Sequence, residues 1–498
     1  MKKTISFFKK NWFFSLFVVI IFISIFLRFY DYSNRWGLAY DQANAAIIGR
    51  YALFNNQLPM LGPFSSAGPF QTGGEYYWLV MLGTAIYPFS VLSPWIALTG
   101  LSVLFVALLM LLGRKLENAQ LGLVAGLLAA VSPGGISQAI NLTNQSPLSF
   151  TSLLALFAMV WYLRTDQKRF LFFMGLFVGL GSSIHLQGAA LIFLILISLL
   201  IKRPNLKGLI FLGLGLIIPW LPVLWVDFHN NFMNTHNMYY YYRYDQYNIS
   251  LDVLGRRWLT YIGIFWPQAW ANIVGGFDFT GYLLMGLTII VTLVNGIKQR
   301  ISKEWIAIIG SFLCAILMLR YVHTPLFDSY LVFLHPIIFL ITAWSICLLI
   351  KKNKIIGIIV FMVVVGGSLQ KDIINIIDAK NRSAERIEEW IHVLSTKHPN
   401  EKFAVYNYNN SASSVSISLS LFLSNDGKID DNGLRIGAID ATDEATLKHP
   451  IIYRRKDDFI LLDLSGSSSA DLLYDKWTFM NPSSIYNQTE YWFLEKKK

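Results

Sequence analysis

The sequence predicts an all-α polytopic membrane bundle of about eleven spans, followed by a small extracytoplasmic α/β domain at the C-terminal end. Three observations predict this class. Of the 498 residues 54% are hydrophobic and 15% aromatic, whereas only 14% are charged, about half the share in an ordinary soluble domain. Apolar stretches long enough to cross a bilayer recur up to residue 371. Beyond it they shorten, and Ser, Asn, Asp and Lys become more frequent.

The composition excludes a soluble enzyme, a disordered protein and a nucleic-acid-binding module. Cys314 and Cys347 both lie in apolar runs, so no disulfide framework or zinc cluster is expected. The net charge of +11 suggests an anionic partner at first sight, but its placement in short loops between the apolar stretches gives it another cause, membrane orientation.

Eleven apolar stretches are predicted to span the membrane. They are roughly 11–28, 95–113, 120–136, 147–164, 170–185, 188–201, 208–226, 280–298, 303–320, 330–350 and 354–370. Two further stretches, 76–92 and 258–275, are interrupted by Pro and aromatic residues and are predicted to lie in the membrane interface. The first span follows four lysines without a small-residue cleavage site, so we expect a retained anchor.

The positive residues indicate the orientation, because Lys and Arg in short loops favour the cytoplasmic side. They concentrate in the N-terminal tail and in the loops near 114–115, 164–169, 202–207, 298–303 and 351–354, which together hold only three acids. We therefore expect a multi-pass protein of the plasma (inner) membrane with a cytoplasmic N-terminus. The odd number of spans then places the C-terminal domain outside.

This orientation divides the chain into two domains. Residues 1–371 are expected to form the membrane domain, with outer loops 29–94, 134–146 and 227–279. Residues 372–498 are expected to form the outer α/β domain, which contains no nucleophile elbow, metal-ligand spacing or phosphate loop. We interpret it as an accessory or acceptor-binding domain; a second catalytic site is the alternative.

The first outer loop contains an acid, Asp41, near the start of a predicted helix. The helix dipole favours a carboxylate there, and an ionised carboxylate at a membrane surface can act as a general base. Asp41 can equally serve only to cap the helix. The segment that follows, from Leu58 to Trp78, is dense in Gly, Pro and aromatic residues and includes Glu75, Tyr76 and Tyr77. It suits a sugar-stacking or lipid-facing loop, or an interfacial aromatic belt.

Six further positions are candidates for substrate contacts. Asn144 lies in the second outer loop, and His185 lies at the outer mouth between two spans, where a polar residue suggests function or a hydrogen bond between helices. Arg320, near His323, lies at the depth of a lipid phosphate, which Arg can bind bidentately. Alternatively, Arg320 pairs with Asp328 or extends its side chain to the lipid headgroups. Rival phosphate ligands are Arg256 and Arg257.

In order and spacing, residues 10–345 resemble the GT-C superfamily of polytopic glycosyltransferases. The resemblance is closest to the family 39-like group that includes protein O-mannosyltransferases and lipid A aminoarabinose transferases. The features that carry it are Asp41-Gln-Ala with Arg50-Tyr51, Leu58-Pro59 with Gly62, Gly74 with Tyr76-Tyr77, Arg114, Ser132-Pro133, Ile218-Pro219 with Pro222, and Tyr330 to Pro336.

The resemblance implies transfer of a sugar from a polyprenyl-phosphate donor to an acceptor hydroxyl or amine at the outer face. It implies Asp41 as the general base of an inverting displacement, although the family's usual Asp-Glu pair is Asp41-Gln42 here. Relatives carry a second acid where this chain has Asn144, and a Lys where it has His185. A divalent cation prefers carboxylate ligands, so Asn144 weakens the case for one, and no cofactor is certain.

The expected partners are the polyprenyl-phosphate-linked sugar, a lipid, glycan or protein acceptor, and membrane lipids, with no nucleic acid. Two other functions remain open. A transporter or flippase of a lipid-linked glycan should carry ionisable residues deep in its spans and internal helix repeats. A catalytically inactive membrane scaffold would use the outer domain to bind a partner.

Overall fold

Residues 12–377 form a bundle of helices because the apolar stretches satisfy their backbone groups internally, as lipid requires. The computed structural model describes residues 12–65, 68–165, 167–245, 258–320, 328–446, 449–454 and 459–487. Arg256, Arg257 and His323 lie outside these ranges, so the sequence-based expectations for them stay predictions.

Within the described ranges the bundle contains eighteen α-helices whose two ends are both described, besides the helical residues 258–260. They are α1 Trp12–Phe29, α2 Tyr32–Arg35, α3 Tyr40–Phe54, α4 Glu75–Ile86, α5 Ser93–Leu116, α6 Ala119–Ala130, α7 Pro133–Ala139, α8 Leu148–Thr165, α9 Lys168–Ile184, α10 Ile192–Ile201, α11 Leu206–Ile217, α12 Leu221–His229, α13 Met233–Tyr240, α14 Trp266–Ile273, α15 Asp278–Ile297, α16 Lys303–Leu319, α17 His335–Lys352 and α18 Lys354–Ile377. Short 3₁₀ segments at Leu186–Leu191, Ile218–Trp220 and Asp328–Leu334 and π-turns at Tyr241–Asp245 and Tyr261–Phe265 connect some of them.

Each of the eleven predicted spans is helical. By length and composition, seven helices among the described residues can cross a membrane alone, or eight if the bent pair α6–α7 counts as one. Helices α9 and α16 have 17 residues each, at the lower limit for a span. Helix α4, in the stretch predicted to lie in the interface, has only 12 residues. The multi-span membrane bundle is thus confirmed.

A buried arginine stabilises the bend between α6 and α7. The two helices meet at 61° because Pro133 has no N–H for the carbonyl of Ala129. The guanidinium of Arg28 on α1 donates instead to the carbonyls of Ala129 and Ala130, at 3.2 and 3.0 Å, and to Ser102 Oγ at 3.0 Å. This intramembrane charge therefore satisfies backbone groups that the proline leaves without a helical partner.

One end of the bundle, called here the basic end, is held together by long cationic side chains. Arg164 forms an ion pair with Glu304, at 2.8 Å from Nε to Oε1, and donates to the last carbonyl of α5, Leu116 O, at 2.9 Å. Lys202 donates to the carbonyl of Tyr162 at 3.2 Å. The loops predicted to be cytoplasmic thus lie together at one end.

Residues after α18 form an α/β domain around a five-stranded mixed sheet. Its helices are α19 Arg382–Lys397, α20 Ser413–Asn425, α21 Ser469–Tyr474 and α22 Pro482–Asn487. Its strands are β3 Phe403–Tyr408, β4 Leu434–Asp440, β5 Ile451–Arg454, β6 Phe459–Asp463 and β7 Trp477–Phe479, in the order β5-β6-β4-β3-β7. Strands β3 and β4 are parallel and joined through α20, and the other pairs are antiparallel. Strands β1 Leu61–Phe64 and β2 Gln71–Gly73 form a separate antiparallel hairpin in the first long loop.

Helix α18 runs through the predicted boundary at residue 371 and ends at Ile377. Asp372, just past the predicted boundary, is buried, and the charges of Arg28 and Arg35 both act on its carboxyl. The α/β domain therefore follows α18 after only the short segment 378–381.

Candidate active site

The candidate site lies at the end of the bundle opposite the basic end, where α3 begins. Most residues of helix α3, including Ala43, Ile47 and Ala52, are buried, so other elements cover it on more than one face. Asp41, in its first turn, is exposed. The N-cap residue is Ala39, and no side-chain hydrogen bond caps the helix. Asp41 is thus not the capping residue.

The residues around Asp41 are fixed to the second long loop. Gln42, which is buried, donates from Nε2 to Oδ1 of Asn141 at 2.8 Å. The N–H of Gly37 donates to the carbonyl of Ile140 at 2.9 Å. A Cβ at Gly37 would lie 2.7 Å from Asn141 Oδ1 and would push this side chain from its place beside Gln42. The backbone before Asp41 is therefore held on the 140–141 segment.

Three consecutive side chains of α4 pack against different parts of the site. Tyr76 donates its hydroxyl to the carbonyl of Leu142 at 2.9 Å, and the ring of Tyr77 lies 5.6 Å from that of Tyr76. Both tyrosines are buried. Burial raises the pKa of both phenols well above the ordinary value, and the nearby charge of Asp41 adds to the increase. Asp41 therefore lies beside two phenols that stay protonated at neutral pH.

Glu75 forms a buried pair with Ser183 at the end of α9. The hydroxyl of Ser183 lies 2.9 and 3.1 Å from the two carboxyl oxygens and 3.3 Å from the carbonyl of Pro219. Burial, opposed by this hydrogen bond and by the backbone N–H of Glu75, raises the pKa of Glu75 to about 7. A Cβ at Gly73 would lie 2.1 Å from Glu75 Oε2, and one at Gly74 would lie 2.1 Å from the carbonyl of Pro59. The two glycines thus permit the pair to form.

Asn144 and His185 lie next to this pair. Asn144 contacts Ile184, the residue after Ser183, and His185 follows Ile184 in the chain. Asn144 Nδ2 lies 3.4 Å from the carbonyl of Ile184. His185 Nε2 lies 3.2 Å from Gln145 Nε2, Nδ1 accepts from the N–H of Gln187 at 3.3 Å, and the ring is 6.2 Å from that of Tyr330. His185 thus links neighbouring segments, as one of the two interpretations expects.

The third long loop closes over the hairpin. The side chain of Asn234 forms two hydrogen bonds with the backbone of Gln71, at 2.7 and 3.1 Å. Asn237 donates to the carbonyl of Pro69 at 2.8 Å. Asp227, which is buried, accepts from the N–H groups of Asn234 and Thr235 at 2.7 and 3.0 Å and from the hydroxyl of Thr235. Asp227 is therefore a structural acid that fixes the start of α13.

Arg320 lies at the end of α16, on the side of the third loop. It is buried, its guanidinium lies 5.0 Å from the ring centre of Trp258, and its charge acts on Tyr261. Helix α16 contacts the 3₁₀ segment that follows His185. These contacts relate Arg320 to the site through α16, whereas Asp41, Glu75 and Asn144 meet around α3, α4 and α9.

Metal ligands do not cluster in the part of the chain that the structure describes: no three His, Cys, Asp or Glu side chains there are placed to hold a metal ion. Oxygen atoms around Glu75 come instead from a hydroxyl and a carbonyl, of Ser183 and Pro219. This donor set suits a hydrogen-bonded carboxyl group more than a divalent cation, which prefers several carboxylates.

Sequence reasoning missed three residues that organise the site. They are Gln42, Asn141 and Ser183. Each side chain is uncharged, and each forms a hydrogen bond with a residue about 100 positions away in the sequence. No local sequence pattern indicates such a pairing. The Gly73-Gly74 pair before Glu75 was the available signal, because adjacent glycines permit close backbone approach.

Comparison with known proteins identifies the fold. The structure superposes on ArnT from Cupriavidus metallidurans in the apo state with a TM-score of 0.61, at 11% identity, over 92% of this chain and 100% of that one. The chain has the GT-C glycosyltransferase fold. The resemblance noted in the sequence is thus confirmed at the level of fold.

Two other GT-C structures and one family model agree. ArnT bound to undecaprenyl phosphate gives a TM-score of 0.62 at 10% identity, over 91% of this chain and 98% of that one. An Archaeoglobus fulgidus oligosaccharyltransferase tethered to an acceptor peptide gives 0.50 at 14% identity, over 83% of this chain and 64% of that one. Residues 75–225 match the family model of dolichyl-phosphate-mannose-protein mannosyltransferases. No curated protein matches the sequence significantly.

Proposed function

We propose that this GT-C protein transfers a sugar from a polyprenyl-phosphate donor to an acceptor at the end of the bundle that carries Asp41. The observation that carries the proposal is the exposed carboxylate of Asp41, set beside the buried Tyr76 and Tyr77 where three long loops meet. The comparison with ArnT bound to undecaprenyl phosphate supports the donor class.

The proposed reaction is one direct displacement at the anomeric carbon. Asp41 accepts the proton of the acceptor hydroxyl or amine as general base, and the freed electron pair forms the new bond to the anomeric carbon. The bond from that carbon to the phosphate oxygen breaks, and the prenyl phosphate leaves with its electron pair. A single displacement inverts the anomeric configuration.

Cationic groups hold the leaving phosphate in this proposal. Arg320 is the main one, because a guanidinium binds phosphate oxygens bidentately. Arg256 and His185 are its proposed helpers, and Arg257 and His323 are further proposed substrate contacts. Glu75, Tyr76, Tyr77, Asn144 and His185 contribute polar contacts and the shape of the sugar pocket.

An apolar groove offers a place for the prenyl tail. It is lined by Met60, Leu221, Pro222, Leu224, Trp225 and Phe228, is open on one side, and has a volume of about 550 Å³. Its lining residue Leu221 follows Pro219 by two positions, and the carbonyl of Pro219 lies 3.3 Å from Ser183 Oγ. A tail bound there would bring its phosphate toward the Glu75–Ser183 pair and the site.

The orientation belongs to the same proposal. The basic end faces the cytoplasm by the positive-inside rule, so the site, the outer loops and the C-terminal domain face outward from the plasma (inner) membrane. Residues 1–371 then form the catalytic domain and residues 372–498 the accessory domain. The acceptor is a lipid, glycan or protein of the cell envelope.

The experiment uses purified protein reconstituted in lipid with a panel of radiolabelled polyprenyl-phosphate hexoses. We expect wild type to release prenyl phosphate from one donor and Asp41→Asn to lose this release while it stays folded. The matched control is Asp31→Asn, an exposed acid of the same loop whose carboxylate accepts from Asn34 at 2.8 Å. It should retain activity.

The other outcomes are also informative. Equal release by wild type and Asp41→Asn would keep the enzyme but remove Asp41 as the base. No release from any donor by folded wild-type protein would contradict the proposal and favour a transporter or a scaffold.

A further inference from the structure

Helix α3 is covered from both sides. On one side it packs against α4, and the approach is so close that a Cβ at Gly49 would lie 2.5 Å from Val80. On the other side it packs against α20 and α22 of the C-terminal domain. Its buried Ala and Ile side chains lie on both faces, and apolar side chains stabilise a helix only when they are buried. The C-terminal domain therefore completes the burial of the helix that carries Asp41.

The domain contacts the chain before Asp41 through Trp36. Asn381 donates from Nδ2 to the carbonyl of Trp36 at 2.6 Å, and the ring of Phe422 stacks on the indole with the centroids 6.3 Å apart. The bundle contacts the same segment as well. Trp95 of α5 donates to the carbonyl of Gly37 at 2.8 Å, and its ring centroid lies 4.9 Å from that of Trp36.

The domain contacts the helix again near its other end. The ring centroids of Tyr51 and Tyr486 are 4.6 Å apart, and Tyr486 is buried. Tyr51 lies ten residues after Asp41, or about 15 Å along the helix. The charge of Asp426, at the end of α20, acts on Arg50. The two domain contacts thus fix α3 on either side of Asp41.

From this geometry we propose that the C-terminal domain positions the site: it seats α3 through Trp36 and Tyr51 and thereby sets the place of Asp41. Asn381 and Tyr486 are positioning residues, because they act on Asp41 only through α3. A shift of the domain, for example when an acceptor binds to it, moves Asp41 relative to the bundle. The catalytic part of this inference rests on the proposed function.

The consequence for turnover is specific. A displacement of a catalytic group by about 1 Å can reduce the rate by about 100-fold. The donor contacts that we assign to Arg320 and to α12 lie outside α3, and the sugar-pocket side chains Glu75 and Tyr76 are held by Ser183 and Leu142 and not by the C-terminal domain. Weakening the domain contacts should therefore reduce kcat and leave KM for the donor unchanged.

The test compares four full-length variants in lipid. Tyr486→Ala removes the ring contact, and Tyr486→Phe keeps it. Asn381→Asp keeps an oxygen to cap α19, where Asn381 Oδ1 now accepts from Ala384 at 3.2 Å, but loses the donor to Trp36. Tyr474→Ala changes an exposed ring of the same domain and serves as the control.

Two readouts are measured for each variant: hydrogen exchange of residues 40–54 without donor, and release of prenyl phosphate from the polyprenyl-phosphate hexose that wild type uses. We expect Tyr486→Ala and Asn381→Asp to exchange faster in 40–54 and to lose about tenfold to 100-fold in kcat at unchanged KM. Tyr486→Phe and Tyr474→Ala should match wild type in both.

Three results would overturn the proposal. They are unchanged exchange of α3 in both test variants, faster exchange with unchanged kcat, and a rise in KM in place of the fall in kcat. If Tyr486→Ala does not fold, Asn381→Asp decides alone. If wild type releases no prenyl phosphate, the proposed function fails, and the exchange of α3 still decides whether the domain holds the helix.

Discussion

Replacing Glu75 by glutamine tests the burial of its carboxyl group. The side chain is 8% exposed, Ser183 is its hydrogen-bonding side chain, and burial raises its pKa from 4.5 to about 7. The folded protein then binds a proton that the unfolded chain has released. A carboxyl group of this kind stabilises the fold fully below about pH 4.5, and this contribution is lost as the pH rises to about 7.

The magnitude follows from the size of the shift. One pKa unit corresponds to about 1.4 kcal/mol, so the increase from 4.5 to about 7 corresponds to a loss of about 3 kcal/mol across that interval. Glu75→Gln keeps the shape and does not titrate. The free energy of unfolding of Glu75→Gln minus that of wild type should therefore grow by about 1.4 kcal/mol per pH unit up to pH 7 and then level off.

The assay is thermal unfolding of wild type and variant in the same detergent from pH 5 to pH 8. Glu401→Gln, an exposed position in the C-terminal domain, should follow the wild-type curve. Ser183→Ala removes a bond that lowers the pKa of Glu75, so its curve should level off at a higher pH. Parallel curves for wild type and Glu75→Gln over the whole range would refute the desolvation of this carboxyl.

Three further substitutions test the packing of the bundle by thermal unfolding. Arg28→Met should destabilise the fold by about 2–4 kcal/mol because two buried carbonyls lose their donor; a wild-type melting temperature would contradict this role. Gly74→Ala should destabilise the fold because the new Cβ meets the carbonyl of Pro59 at 2.1 Å. The control Gly100→Ala, whose Cβ has nothing within 4 Å, should be neutral or stabilising. A higher melting temperature for Gly74→Ala than for Gly100→Ala would exclude the hairpin geometry. Glu304→Gln should cost less than about 1 kcal/mol, since its partner Arg164 is partly exposed; a larger loss would show that the basic end depends on the ion pair.

The spans could be predicted from the sequence because lipid imposes a local requirement, a run of apolar residues that satisfies its own backbone. The bends and the exact ends of the spans could not be predicted in this way. The predicted span 120–136 contains the 61° bend at Pro133, and α18 continues past residue 370 through the buried Asp372. Arg28 contributes to both features from a helix far away in sequence, which a hydropathy window does not include.

The candidate site could be predicted in part. Asp41, Glu75 and Tyr76 come from the first long loop, Asn144 from the second and His185 from the end of α9. They lie at the same end of the bundle because alternate spans return the chain to the same side. The neutral side chains that join them, Gln42, Asn141 and Ser183, are brought there by tertiary contacts alone, so the sequence does not indicate them.

Arg320 illustrates the other limit of sequence reasoning. Its expected depth in the membrane suggested a phosphate ligand, whereas the side chains around it could not be predicted from its position in the sequence. In the structure the guanidinium stacks on Trp258, a residue that reaches it from the third loop.

The bond between Arg28 and the bend has an evolutionary consequence. A relative with any residue other than proline at the position of Pro133 has an N–H for the carbonyl of Ala129 and needs no arginine at position 28. Without that need, the arginine would be a costly charge in lipid. The two positions should therefore covary among homologous sequences, with arginine and proline kept together or lost together, although 105 residues separate them.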